Sequence, residues 1–412
     1  MRPGVRRVVT VVALTAAWIS AGATPLEGAI AGAPEPTDFA RDYVSLQAHV
    51  RAGAEVSNGY AASLGVPAVV LLDGPYNAHP PTALLALLPF APLGFRATAL
   101  AWLCVSTLAL GALAFMLSRI VVPNRSSLVW LLAFALLALW PPVLHDLAKG
   151  QWSILLATLI AAGWRALDRG HARAAGIWIG LAAALKATPL LLLAYLWLRR
   201  RRAAWAMMAT IAALVAVSVA LFGLAPWRVW VAQARPNVLA WQTWIANTAS
   251  INGAVARLLT TTAFCRPLVD GPALAQALTL VLAALLLGAT AVATRAAAPS
   301  PRDERRLFAA WTALVVLLNP LSWTHTVVIA LVSVALLAED APPAAIAAVL
   351  VVLTVPHETL AALAGPLPVA PGRGLALSIH AAALVVLLGV SLRRAKRDGV
   401  GASPPAAIGP VS

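Results

Sequence analysis

Apolar residues in this chain run in long blocks, and the polar residues are gathered between them. Runs close to the ~20 residues that cross a bilayer as a helix lie at 7–25, 96–118, 126–144, 203–225, 271–294, 342–358 and 374–392, with a shorter one at 152–165. Two further stretches are long but broken. Ala174 to Leu198 is interrupted by Lys186-Ala187-Thr188-Pro189, and Leu307 to Leu337 by Asn319-Pro320-Leu321-Ser322-Trp323. Charge decides how to read them. Arg165, Arg169 and Arg173 precede the first stretch, and Arg199 to Arg202 follow it. A single crossing would put one cluster outside, against the tendency of Arg and Lys to stay cytoplasmic. A turn at Lys186 to Pro189 keeps both inside, and proline suits the first position of a new helix. The second stretch, flanked by Arg302 to Arg306 and by Glu339-Asp340, is read the same way. Both are expected to be hairpins of short helices. Their non-helical tips then sit at membrane depth, which is tolerated only against protein or a water-filled cavity.

Composition agrees with this pattern. Of 412 residues, 61% are hydrophobic and 11% charged, and mean hydropathy is +0.85. A soluble chain is nearer a quarter charged. The net charge of +15 does not imply nucleic acid, because the arginines sit in short clusters at the ends of apolar runs. Membrane lipids are the expected surroundings. The fold class expected is all-α: a polytopic transmembrane helical bundle of roughly 8–12 membrane helices, short hairpin helices included, with long outer-side loops. Residues 1–398 read as one membrane domain, and 399–412 as a short disordered C-terminal tail. The first apolar run is read as a retained span, although Ala21-Gly22-Ala23 also resembles a signal-peptide cleavage site.

With the N-terminus cytoplasmic, segments 26–95, 143–151, 226–270 and 358–373 fall outside. Asp38 to Ala52 is compatible with an amphipathic helix on the membrane surface, Thr82 to Gly94 contains a short apolar helix, and Trp227, Trp230, Trp241 and Trp244 suit an interface. Asp38 and Asp42 share a helix face; either is a general base for an acceptor hydroxyl, or a solvated carboxylate, or in the case of Asp38 a helix cap. His79 precedes a rigid Pro80-Pro81 and is either a phosphate or sugar contact or an exposed loop residue. Lys186 is the most telling, since an intramembrane cation costs about 2.5–3.5 kcal/mol by insertion scales; it either meets an anionic partner such as phosphate or snorkels to the interface, from which it stands some twelve positions. Ser322, Trp323 and His325 mark the second tip, with His325 a ligand contact or a satisfied core residue. Arg257 and Arg373 either bind phosphate or meet lipid headgroups. Cys104 and Cys265 are ordinary thiols; no metal-ligand spacing and no nucleotide-binding or hydrolase motif is present, and no cofactor is expected.

These residues, in order, resemble glycosyltransferase family 87, a polytopic family of the GT-C class. The resemblance rests on Asp38-Phe39 with Tyr43, Gly53 and Tyr60; His79-Pro80-Pro81; Gly150-Gln151; Gly180-Leu181 through Lys186 and Pro189 to Tyr195; and Pro320 to His325. It departs from the family at Thr248-Ala249-Ser250 and at His79, where tyrosine is common. The resemblance implies inverting transfer of a hexose, mannose in known members, from a polyprenyl-phosphate sugar donor to a cell-envelope lipid or glycan acceptor. It further implies an active side facing outward from the plasma membrane and Asp38 as catalytic base, with Asp42 as alternate. Asp42, His79, Lys186, Arg257 and His325 become candidate substrate contacts. A flippase of lipid-linked sugars, or a membrane scaffold, would use similar architecture without bond chemistry.

Overall fold

A computed structural model describes residues 37–50, 79–122, 127–232, 249–261, 267, 269–355, 359–360 and 371–393. The apolar run at 7–25, residues 233–248 with Trp241 and Trp244, Cys265 and the C-terminal tail lie outside the described residues. Among the described residues all regular structure is helical. Three helices are long and apolar enough to cross a membrane: α3 (Phe95–Val121), α9 (Arg201–Phe222) and α11 (Pro272–Ala296). The protein is membrane-embedded.

The run at 126–144 is not one straight span. It forms α4 (Ser127–Ala138) and α5 (Pro141–Lys149), which meet at 68°. Pro141 and Pro142 begin the second helix, and a proline pair cannot supply the N–H groups that would continue the first. The shorter elements are α6 (Ser153–Asp168), α7 (Ala172–Leu185), α8 (Leu192–Arg199), α10 (Ile251–Leu259), α12 (Pro301–Leu317), α13 (Ala330–Leu337), α14 (Pro343–Thr354), α15 (Pro371–Leu377) and α16 (Ile379–Leu392).

Both broken stretches turn back on themselves. In the second, Ser333 of α13 donates to the carbonyl of Ala309 in α12 at 2.8 Å. Further down, Arg302 pairs with Asp340 and Arg305 with Glu339. Rising numbers thus meet falling ones about the tip at Asn319 to Trp323. Ser300 opens α12 by accepting from Asp303 N–H, with Pro301 at the first helical position. Every residue from Leu307 to Leu317, and from Ala330 to Leu337, is buried, as expected of helices apolar on all sides. This hairpin is the axis of the bundle.

The first hairpin is established by its neighbour. A Cβ on Gly176 would collide with the carbonyl oxygen of Ala203 and lie 2.9 Å from Met207 N; one on Gly180 would lie 2.9 Å from Thr210 Cβ. Rising positions on α7 therefore meet rising positions on α9, and the two helices run parallel. The chain between them has to return to its starting level, which α8 accomplishes. Gly176 and Gly180 are four apart on one face, the small-residue spacing that lets membrane helices touch backbone to backbone. Gly176→Ala should cost about 1–3 kcal/mol or more through overpacking, read as a lower thermal midpoint in detergent; an unchanged midpoint would show that the helices can part without loss.

The bases of the two hairpins are tied at one end. Arg199 Nε donates to Glu304 Oε1 at 2.7 Å, Tyr195 donates to Glu304 Oε2 at 2.7 Å, and Arg200 lies 3.4 Å from the same carboxylate. Glu304 is buried, and three partners satisfy it. With the bases joined, both tips point into the bundle from that end.

Helix α1 (Thr37–Val50) does not lie on the membrane as the mixed pattern suggests. Phe39, Tyr43, Val44 and Leu46 are buried, and so are Asp42, Ser45 and Gln47. Tyr43 and Gln47 donate to the carbonyls of Leu93 and Ala91, and Phe39 stacks on Trp102 of α3 at 5.6 Å. Its polar residues serve internal contacts, which a surface pattern mimics. The short apolar helix expected after His79 is α2 (Ala83–Leu87), followed by a 3-10 turn at Leu88–Phe90.

Candidate functional site

The two hairpin tips, α1 and the end of α5 enclose a cavity of about 1430 Å³, larger than the pocket of a single small ligand. Its polar end is lined by Asp38 and Arg41 of α1, His79, His145 and Lys149 of α5, Gln151, Lys186, and Asn319, Trp323 and His325. Away from these residues it continues as an apolar groove between the 3-10 turn at Thr188–Leu191 with α8 on one side (Leu190 to Leu198) and one face of α11 on the other, where Ala283, Leu287, Gly288 and Ala291 precede Arg295.

The carboxylates are set by the turn between α5 and α6. Gly150 adopts a left-handed conformation (φ 64°) and closes α5, its N–H reaching the carbonyls of Asp146 and Leu147. Asp146 accepts from the N–H groups of Ser153 and Ile154 at 3.0 and 3.4 Å, so one buried carboxylate caps the start of α6. That sharp turn aims two adjacent side chains at α1. Gln151 Nε2 donates to Asp38 Oδ2 at 2.8 Å, and Trp152 Nε1 donates to Asp42 Oδ2 at 2.8 Å. Asp42 Oδ1 meets His79 Nδ1 at 2.9 Å. The two carboxylates share a helix face but not an environment. Asp38 faces the cavity with one oxygen held, whereas Asp42 is buried behind the wall, as are the rings of Trp102 and Trp152 (centroids 4.4 Å apart).

Across the cavity, Lys186 leaves the end of α7 in extended conformation and lies within the field of Asp146, Asp42 and Asp38. His325 stacks on His145 with ring centroids 5.6 Å apart and planes 9° off parallel; their Nδ1 atoms are 3.4 Å apart. His325 Nε2 is buried and has no hydrogen-bond partner among the described residues, which leaves it available to a ligand. Of the residues singled out from sequence, the fold brings Asp38, His79, Lys186 and His325 to one cavity. Asp42 stands behind it. Arg257 does not line it: its guanidinium is buried against α16 and donates to Ser378 at 3.1 Å. Arg373 falls in α15, and nothing is described of its side chain.

Sequence reading passed over Arg41, His145 and Lys149, and assigned Gln151 no contact. The available signal was their density: His145, Asp146, Lys149 and Gln151 crowd a short segment between apolar runs, where polar side chains near a bilayer mark function. Among the described residues no three His, Cys, Asp or Glu side chains converge to hold a metal ion. The arrangement offers one accessible carboxylate opposite several cationic or proton-carrying groups, joined to an apolar groove.

No curated protein matches the chain. Residues 77–321 match glycosyltransferase family 87, more than half of the sequence. The matched segment includes His79, Lys186 and Arg257 and stops short of Asp38, Asp42 and His325. On that match the chain belongs to glycosyltransferase family 87.

Proposed function

We propose that this glycosyltransferase moves a hexose, mannose in the simplest case, from a polyprenyl-phosphate sugar to a lipid or glycan acceptor of the cell envelope, with inversion at the anomeric carbon. The carrying observation is the cavity itself, which places one accessible carboxylate opposite Lys186 and continues into an apolar groove. The lipid chain of the donor occupies the groove between α8 and α11, and its phosphate meets Lys186 with His325 beside it. Asp38, held through one oxygen by Gln151, takes the proton of the acceptor hydroxyl as that oxygen attacks. The bond from the anomeric carbon to the phosphate breaks, and the electron pair leaves with the lipid phosphate, whose charge the cations stabilise. One displacement inverts the centre. With the arginine-rich hairpin bases cytoplasmic, the reacting end faces the extracytoplasmic side of the plasma membrane.

The test is reconstitution in vesicles with polyprenyl-phosphate mannose and an acceptor lipid, followed by mass analysis of the products. A new glycosidic bond is expected. Movement of labelled donor across the bilayer without any new bond would instead make the protein a flippase.

The groove carries its own prediction. A side chain at Gly288 meets open space, with nothing within 4 Å of its Cβ position. Gly288→Phe should fold normally yet raise KM for long-chain donors by about tenfold, or ~1.4 kcal/mol, while a short-chain donor is less affected. An equal effect on both chain lengths would place the lipid elsewhere.

A further inference from the structure

Asp42 is too buried to meet substrate, and both its oxygens are engaged, Oδ1 with His79 Nδ1 at 2.9 Å and Oδ2 with Trp152 Nε1 at 2.8 Å. A carboxylate only accepts, so the proton between Asp42 and His79 sits on Nδ1, which fixes the histidine tautomer. Nε2 is then the nitrogen that exchanges protons, on a residue that lines the cavity. Three residues on, Thr82 donates to the carbonyl of Ala184, two positions before Lys186. The segment from His79 to Thr82 is thus fastened to the cationic tip on one side and to the Asp42 carboxylate on the other. Across the cavity, His145 and His325 face each other through their Nδ1 atoms.

We infer that His79, oriented by Asp42, is the proton donor to the departing lipid phosphate. This rests on the lipid-phosphate donor proposed above. As the bond from acceptor oxygen to anomeric carbon forms, the acceptor proton passes to Asp38. As the bond to phosphate breaks, its electron pair stays on the phosphate oxygen, and the Nε2 proton of the His79 imidazolium moves to it, which leaves the neutral Nδ1–H tautomer that Asp42 holds. Between turnovers the proton on Asp38 returns to His79 through cavity water, which restores both groups. His79 is the catalytic residue of the pair, and Asp42 acts through it. The other charged or titratable groups that face this end are Asp38, Arg41, Lys149, Lys186 and the His145–His325 pair; Asp146 is engaged by the start of α6.

The test uses the full chain, labelled with nitrogen-15 histidine, in lipid nanodiscs. Polyprenyl phosphate should shift the His79 Nε2 resonance, identified by its loss in His79→Gln, whereas the polyprenyl alcohol of equal length should not. The Nδ1–H tautomer should be lost in Asp42→Asn. In the transfer assay, His79→Gln should lower kcat by about 10²–10³-fold, change donor KM far less, and remove the fall in rate at alkaline pH. Asp42→Asn should lower kcat in the same direction by a smaller factor. A His79 resonance indifferent to polyprenyl phosphate overturns the inference. So does a variant that transfers at full rate, or one that loses rate with its pH profile intact, which would mark a structural role. A wild-type chain that makes no glycosidic bond at all fails the proposed function instead.

Discussion

Asp38→Asn should lower transfer by about 10²–10⁴-fold, the range general-base catalysis contributes, while leaving the protein folded. The substitution keeps size and shape. The asparagine oxygen still accepts from Gln151 Nε2, as Asp38 Oδ2 does at 2.8 Å, so α1 stays docked through Phe39, Tyr43 and Gln47. What is lost is the basic lone pair that takes the acceptor proton. The measurement is kcat in reconstituted vesicles alongside a thermal midpoint in detergent. A loss of at least a hundredfold with an unchanged midpoint is expected, and donor KM should move little because the carboxylate acts on the acceptor. Full activity would remove Asp38 from the mechanism.

Lys186→Met should separate stability from activity with opposite signs. An ammonium within an apolar stretch costs about 2.5–3.5 kcal/mol by insertion scales, and methionine of similar length removes that cost. Some of it is offset by the fields of Asp146, Asp42 and Asp38, so the expected gain in stability is smaller than the full figure. Transfer should nevertheless fall by about 30-fold to several-thousand-fold, the 2–5 kcal/mol of a buried charge pair with one partner removed. Both donor KM and kcat should suffer, since charge on the phosphate grows as the bond breaks. A destabilised protein with intact transfer would instead make Lys186 a structural counter-ion to the carboxylates.

Much of this was legible in the chain. The first hairpin followed from Pro189 and from arginine clusters that could not lie on opposite sides of a membrane, and the second from a like break at Asn319 to Trp323. Asp38, His79, Lys186 and His325 were singled out one by one, because a polar group near a bilayer is costly and therefore informative. The bend at Trp140-Pro141 was within reach, since the proline pair was visible inside a run taken as straight. The pairings were not. Gln151 is 113 positions from Asp38, and His325 is 180 positions from His145. No local periodicity encodes contacts across such separations.

Helix α1 shows the limit most clearly. Its mixed pattern equally describes a helix floating on lipid and one buried among polar partners, because periodicity records which faces differ and not what each face meets. The same limit applies to Arg257, a basic residue after a long loop that the fold turns toward Ser378 and away from the cavity. The sequence by itself determined a membrane bundle with two helical hairpins, because bilayer thickness and the cost of moving charge across it act on consecutive residues. The tertiary structure decided which carboxylate faces the cavity, which one stands behind His79, and which cations surround them. Those assignments depend on side chains from distant segments meeting at the hairpin tips.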